Sequence, residues 1–131
     1  MPVDEATKAR CNILSNEIIS AAIEVHRHMG PGLLESAYRT CLCHELGLRN
    51  ISYRCEIPLD VEYKGLLVPQ AYRIDIWVDG LVIVEIKSVD KLIEVHEAQL
   101  LTYLKFTKCW LGLLLNFNVK MMKTGIKRLV M

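Results

Sequence analysis

The feature that most restricts the fold of this chain is the stretch from Tyr72 to Lys87, YRIDIWVDGLVIVEIK. Two runs rich in Val, Ile, Trp and Tyr, Ala71–Val78 and Leu81–Lys87, flank Asp79-Gly80. That pattern predicts two antiparallel strands joined by a tight turn. Inside the runs stand Asp75, Glu85 and Lys87. Strand interiors disfavour acidic residues, and a charge taken out of water has to be paired or hold a metal ion. Charged residues at these three positions therefore point to a site rather than to a solvated face.

The hairpin sets a geometric condition. Side chains alternate across a sheet, so Glu85 and Lys87 share a face with Ile83. Asp75 joins them only if the loop has the right parity. A two-residue loop at Asp79-Gly80 pairs Asp75 with Val84 and turns it to the face opposite Glu85. A three-residue loop, Val78-Asp79-Gly80 with Gly80 as a left-handed bulge, pairs Asp75 with Ile83 and lets Asp75 and Glu85 converge. A shared metal site thus requires an odd loop or an equivalent bulge.

The 131 residues suit one domain, 1–131, with a polar and frayed segment over 1–11. A hydrophobic fraction of 52% excludes a disordered chain. The formal net charge of +1 makes no electrostatic case for nucleic acid, and it leaves room for a local basic patch. The longest apolar run, Trp110–Leu115, is too short to span a bilayer and suits a buried strand. MPVDEATKARCN has no apolar signal core, so a cytoplasmic protein with no membrane attachment is expected. The five cysteines are then expected to be reduced. Cys41 and Cys43 have no second pair at zinc-ligand spacing, which argues against a structural zinc site.

In chain order, Asn12–Met29 reads as a first helix whose apolar stripe, Ile19, Ala22 and Ile23, is closed by His26. His26 is either a core-edge histidine with satisfied ring nitrogens or a residue reaching into the site. Gly30-Pro31-Gly32 breaks the helix, and a second runs from about Leu33 to Leu46, stopping at Gly47. Glu35 lies in its first turn at the margin of the apolar face, a place that the helix dipole alone would explain. Tyr53–Ile57, Leu59–Tyr63 and Leu66–Val68 read as strands, with Lys64-Gly65 as a turn and Pro58 and Pro69 marking ends or an edge. After the central hairpin, Ile93–Thr107 is a third helix on which His96, Gln99 and Tyr103 form one stripe. That stripe is either exposed or, if buried, supplied with polar partners. Cys109–Phe117 reads as a strand buried on both faces and Ile126–Met131 as a short last strand. Lys120, Lys123, Lys127 and Arg128 make the end basic, as a solvated face or as a contact for phosphates.

An Asp and a Glu on adjacent strands suit a hard divalent cation, Mg²⁺ or Mn²⁺, that keeps waters and takes a substrate phosphate. A Lys two residues after the Glu, on the same face, is placed to orient or deprotonate a water, or to steady a phosphorane-like transition state. This is a constellation for phosphodiester hydrolysis, and no Ser/His/Asp signature, phosphate loop or HExxH helix competes with it.

Asp75 followed by Glu85-Ile86-Lys87 resembles the core of the PD-(D/E)XK nuclease superfamily, with Ile74 where Pro is frequent. Gln99-Leu100-Leu101-Thr102-Tyr103 is similar to the QxxxY helix motif of its exonuclease-like branch, and Gly32 to Tyr38 resembles the signature of the GxxExxY protein family. That resemblance runs from AAIEVHRHMGPGLLESAY to LLLNF and IKRLV. It implies an α/β fold with a mixed central β-sheet flanked by helices. It implies Asp75 and Glu85 as metal carboxylates, Lys87 as the catalytic lysine and Glu35 as an accompanying helix carboxylate. Gln99 and Tyr103 match second-shell or substrate-contacting positions, and His26 and His96 fall in family-typical segments. The activity so implied is a Mg²⁺- or Mn²⁺-dependent nuclease acting on DNA or RNA. The competing readings are a non-catalytic module that binds nucleic acid or a nucleotide, and an interaction protein working as a homo-oligomer or with a partner protein.

Overall fold

The computed structural model describes residues 2–131. Helices α1 (Glu5–Met29) and α2 (Glu35–Leu48) precede strands β1 (Tyr53–Tyr63), β2 (Leu66–Val78) and β3 (Val82–Lys87); α3 (Glu94–Thr107), β4 (Leu111–Asn116), a 3-10 turn (Met122–Gly125) and β5 (Ile126–Val130) follow. The strands form one sheet in the order β1-β2-β3-β4-β5. The β3–β4 pair is parallel and the others are antiparallel. A parallel pair needs a crossover, and α3 is that crossover. The sheet is mixed and flanked by helices, as the resemblance implies.

Residues 5–11, expected to fray, instead form the first turns of α1. Asp4 caps them by accepting the Thr7 amide at 2.7 Å, and Cys11 is buried among core residues. The short strand segments expected between Tyr53 and Val78 are fused into two long strands. Pro58 is tolerated because β1 is the edge of the sheet. Pro69 falls where the β1–β2 register shifts, beside Gln70 at φ 50°.

Two cores sandwich the sheet. On one face α1 and α2 set Leu14, Ile18, Ala22, Leu42 and Leu46 against Val82, Val84, Ile86, Leu113 and Leu115. On the other, α3 sets Leu100, Tyr103 and Leu104 against Ile74, Ile83 and Leu114. Because both faces are covered, every residue of β4 is buried. Each fully buried Leu, Ile or Val contributes about 1.5–3 kcal/mol relative to exposure. Among the described residues no helix is long and apolar enough to cross a membrane.

Candidate active site

The site begins with the turn between β2 and β3. The ladder pairs Val78 with Val82, Trp77 with Ile83 and Ile76 with Val84. The loop is therefore Asp79-Gly80-Leu81: odd, as convergence requires, but one residue later than Val78-Asp79-Gly80. Asp79 (φ 51°) and Gly80 (φ 65°) both adopt left-handed backbone, and the Leu81 amide closes the turn on the Val78 carbonyl at 2.9 Å. Continued by one residue, this register sets Asp75 opposite Glu85, not opposite Ile83.

The ladder does not continue. It stops at Ile76–Val84, and the two carboxylates take over where the strands part. The Asp75 amide donates to Glu85 Oε1 at 3.0 Å, and the Ile86 amide donates to Asp75 Oδ2 at 2.8 Å. Each side chain thus satisfies a main-chain donor on the opposite strand. The faces of β2 also change here. Ile76 and Val78 belong to the α1/α2 core, whereas Ile74 belongs to the α3 core. Asp75 lies at that crossover.

Glu85 is only 3% exposed. Burial, then the Asp75 charge, push its carboxyl up to about 8, and burial likewise raises Asp75. A buried acid pair whose carboxyls are both pushed up, chiefly by burial, is chemically suited to a divalent cation bound through oxygen.

Lys87 follows on the same strand face. Its Nζ donates to Gln99 Oε1 at 2.8 Å, and Gln99 Nε2 donates to the Tyr103 hydroxyl at 3.1 Å. Tyr103 is buried, stands edge-on to Tyr72, and has its phenol pushed up to about 12 by burial and by the Glu85 charge. Of the α3 stripe, Gln99 and Tyr103 join the site. His96 instead accepts the Ile93 amide through Nδ1 at 3.1 Å and caps the helix. With Gln99, Tyr72 and Thr102 it lines an open groove of about 440 Å³.

A model of the PD-(D/E)XK nuclease superfamily matches residues 12–129. The chain belongs to the PD-(D/E)XK nuclease superfamily. Nuclease-type chemistry on nucleic acid, generally with divalent metals, is the activity associated with that superfamily. No curated protein and no solved structure matches the chain.

The Asp75–Glu85 pair has a third acid nearby. Glu35 opens α2, adds a negative field at Asp75, and accepts the Ser88 amide through Oε2 at 3.2 Å. Among the described residues no three His, Cys, Asp or Glu side chains are gathered as a ready cage. The fit to a cation therefore rests on Asp75 and Glu85, each with one oxygen committed to an amide. His26 stands apart: its Nε2 meets the Val119 carbonyl at 2.7 Å and its ring is near Phe117, so it sits at the core edge with that nitrogen satisfied.

Sequence reasoning missed three residues. Arg39 on α2 reaches Asp75 Oδ1 at 3.3 Å and Glu56 Oε1 at 2.9 Å. Ser88 ties its hydroxyl to the Leu33 carbonyl at 2.7 Å and so anchors the loop before α2. Asn116, paired with Lys87 across β3–β4, is buried and holds both the N–H and the carbonyl of Val89. Only Asn116 had a visible signal, as the one polar residue in LLLNF. Arg39 had none, since its partners lie 36 and 17 residues away.

Proposed function

We propose that the chain is a Mg²⁺- or Mn²⁺-dependent nuclease that hydrolyses phosphodiester bonds of nucleic acid, acting as one domain over 1–131. The observation that carries this reading is the Asp75–Glu85 pair closed across the splayed strands, with Lys87 beside it. Asp75 and Glu85 hold the cation, and Glu35 adds negative charge from the start of α2. When bound, the cation neutralises the carboxylates and polarises a substrate phosphate. Lys87 orients or deprotonates the attacking water, or steadies charge on the pentavalent phosphorus. Gln99 fixes the Lys87 ammonium, and Tyr103 fixes Gln99 from the buried side of α3. The groove lined by His96 and Gln99 is the proposed approach for the nucleic acid; His26 acts through packing behind the site. Five free cysteines are in keeping with a cytoplasmic setting.

Cleavage of short single- and double-stranded DNA and RNA with Mn²⁺ and with Mg²⁺ tests the proposal, using wild type, Lys87→Ala and Asp75→Asn. Metal-dependent cutting that falls by about 10²–10⁴ in both variants is the expected result. Cutting that persists in both would remove this site from the reaction. Nucleic acid bound but never cut would favour the non-catalytic module.

A further inference from the structure

Arg39 belongs to no part of the mechanism above, yet it is joined to the acid pair. Its two terminal nitrogens bridge carboxylates from two strands: Nη1 to Asp75 Oδ1 at 3.3 Å and Nη2 to Glu56 Oε1 at 2.9 Å. Its side chain is only 20% exposed, so solvent screens the contact weakly. The Asp75 oxygen it takes is the one that the Ile86 amide leaves over.

Glu56 is the second carboxylate of this contact. It lies on β1 between the pairs Cys55–Ile76 and Ile57–Ile74, and so stands opposite Asp75. There the ladder is interrupted and Glu56 has φ 52°. A left-handed glutamate in a strand is strained, and such strain persists where the surroundings hold it and concentrates at functional sites. The distortion coincides with the carboxylate meeting Arg39, with Arg73 a further 3.8 Å neighbour.

A guanidinium shared by two carboxylates does electrostatically what a cation does there. We propose that Arg39 is a built-in cation of the site: clamped by Glu56, it competes with divalent metal for Asp75 and sets how tightly that metal is held. Arg39 is thus a positioning residue that acts through Asp75, and Glu56 regulates it by sharing its charge. The inference rests on the metal reading of Asp75 and Glu85.

The two partners carry opposite signs, which separates this role from simple stabilisation. Removing Arg39 frees Asp75 and withdraws a repelling charge, so metal binds more tightly. Neutralising Glu56 leaves Arg39 wholly to Asp75, so metal binds more weakly. A purely structural ion pair predicts weaker binding in both.

The test is calorimetric titration of the metal-free full chain with Mn²⁺ for wild type, Arg39→Gln, Glu56→Gln and Asp75→Asn, with circular dichroism melts alongside. Arg39→Gln is expected to raise affinity about tenfold and Glu56→Gln to lower it about threefold, as screened charges a few ångströms apart require. Asp75→Asn is expected to abolish binding. Glu56→Gln changes a partly exposed side chain and carries the test should Arg39→Gln fold poorly: unchanged or tighter binding there overturns the inference. Binding that depends on Asp75 but is equal or weaker in Arg39→Gln overturns it while leaving the metal reading intact. Binding seen only once Arg39 is replaced, and lost again with Asp75→Asn, supports it in its strongest form. No binding in any variant overturns the metal reading and the inference together.

Discussion

Glu85→Gln is expected to stabilise the metal-free protein progressively as pH rises above 4.5, with the full effect reached above about 8. Burial and the Asp75 charge take the Glu85 carboxyl from its ordinary 4.5 up to about 8. Between those values the folded state keeps a proton that the unfolded chain releases. Stability from neutral Glu85 is therefore complete below pH 4.5 and is lost as pH rises through about 8. At about 1.4 kcal/mol per pH unit the full interval gives a ceiling near 5 kcal/mol. Relaxation of the site reduces this to about 2–3 kcal/mol. Glutamine keeps the oxygen that accepts the Asp75 amide, supplies an N–H toward the Asp75 carboxylate, and never ionises. The assay is thermal unfolding in a chelator from pH 4.5 to 9, wild type beside Glu85→Gln. The two should coincide at the acid end and separate by about 8–12 °C above pH 8, at about 4 °C per kcal/mol for a domain of this size. Mn²⁺ should then invert the order at high pH, raising the wild-type midpoint and leaving the variant unmoved. Parallel curves across the range, or a variant less stable at pH 9, would refute the account of Glu85 as a carboxyl held neutral by its surroundings.

Two substitutions away from the acid pair test how the site is supported. A Cβ on Gly125 would lie 2.1 Å from the main-chain oxygen of Asn116, and backbone cannot yield cheaply. Gly125→Ala should cost about 3 kcal/mol or more in urea unfolding, and an unchanged midpoint would contradict that packing. Asn116→Ala should cost about 2–3 kcal/mol by the same measurement, because it orphans the Val89 and Asn118 amides and the Val89 carbonyl. A loss under 0.5 kcal/mol would show that water replaces those bonds.

What could be read from sequence was what local periodicity and chemistry encode. Alternation exposed Asp75, Glu85 and Lys87 as charges inside apolar strands, and helical spacing set Gln99 next to Tyr103. Loop parity could be posed as a condition but not resolved. Asp79-Gly80 marks a turn without saying how many residues stay unpaired, and the burial of Val78 and Val82 in the α1/α2 core accompanies the register. The start of α1 was hidden because residues 5–11 look polar, although Asp4 caps them and Cys11 buries. Pro58 marks a strand end or an edge in the sequence, and it lies on the edge strand β1, where its missing N–H leaves no partner unpaired. His26 could be placed on an apolar stripe but not matched to the Val119 carbonyl, which comes 93 residues later. Arg39 lay beyond any local pattern, since its contacts arise only when α2 is laid against two distant strands.

The break in the β2–β3 ladder unites these observations. Had pairing run on past Ile76–Val84, the amides of Asp75 and Ile86 would bond to strand carbonyls, and two like-charged carboxylates would be buried with no donors. Because the strands part, each carboxylate receives an amide, and burial leaves the pair in want of positive charge. In the reading proposed above, a proton, Arg39 and a divalent cation are alternative answers to one electrostatic demand. The left-handed backbone at Glu56, the left-handed turn at Asp79-Gly80 and the change of core at Asp75 all lie around this break in an otherwise apolar sheet. Lys87, two residues further along β3 and held by Gln99, adds a positive field at both carboxylates, so the strand that carries Glu85 into the break also brings the lysine to it.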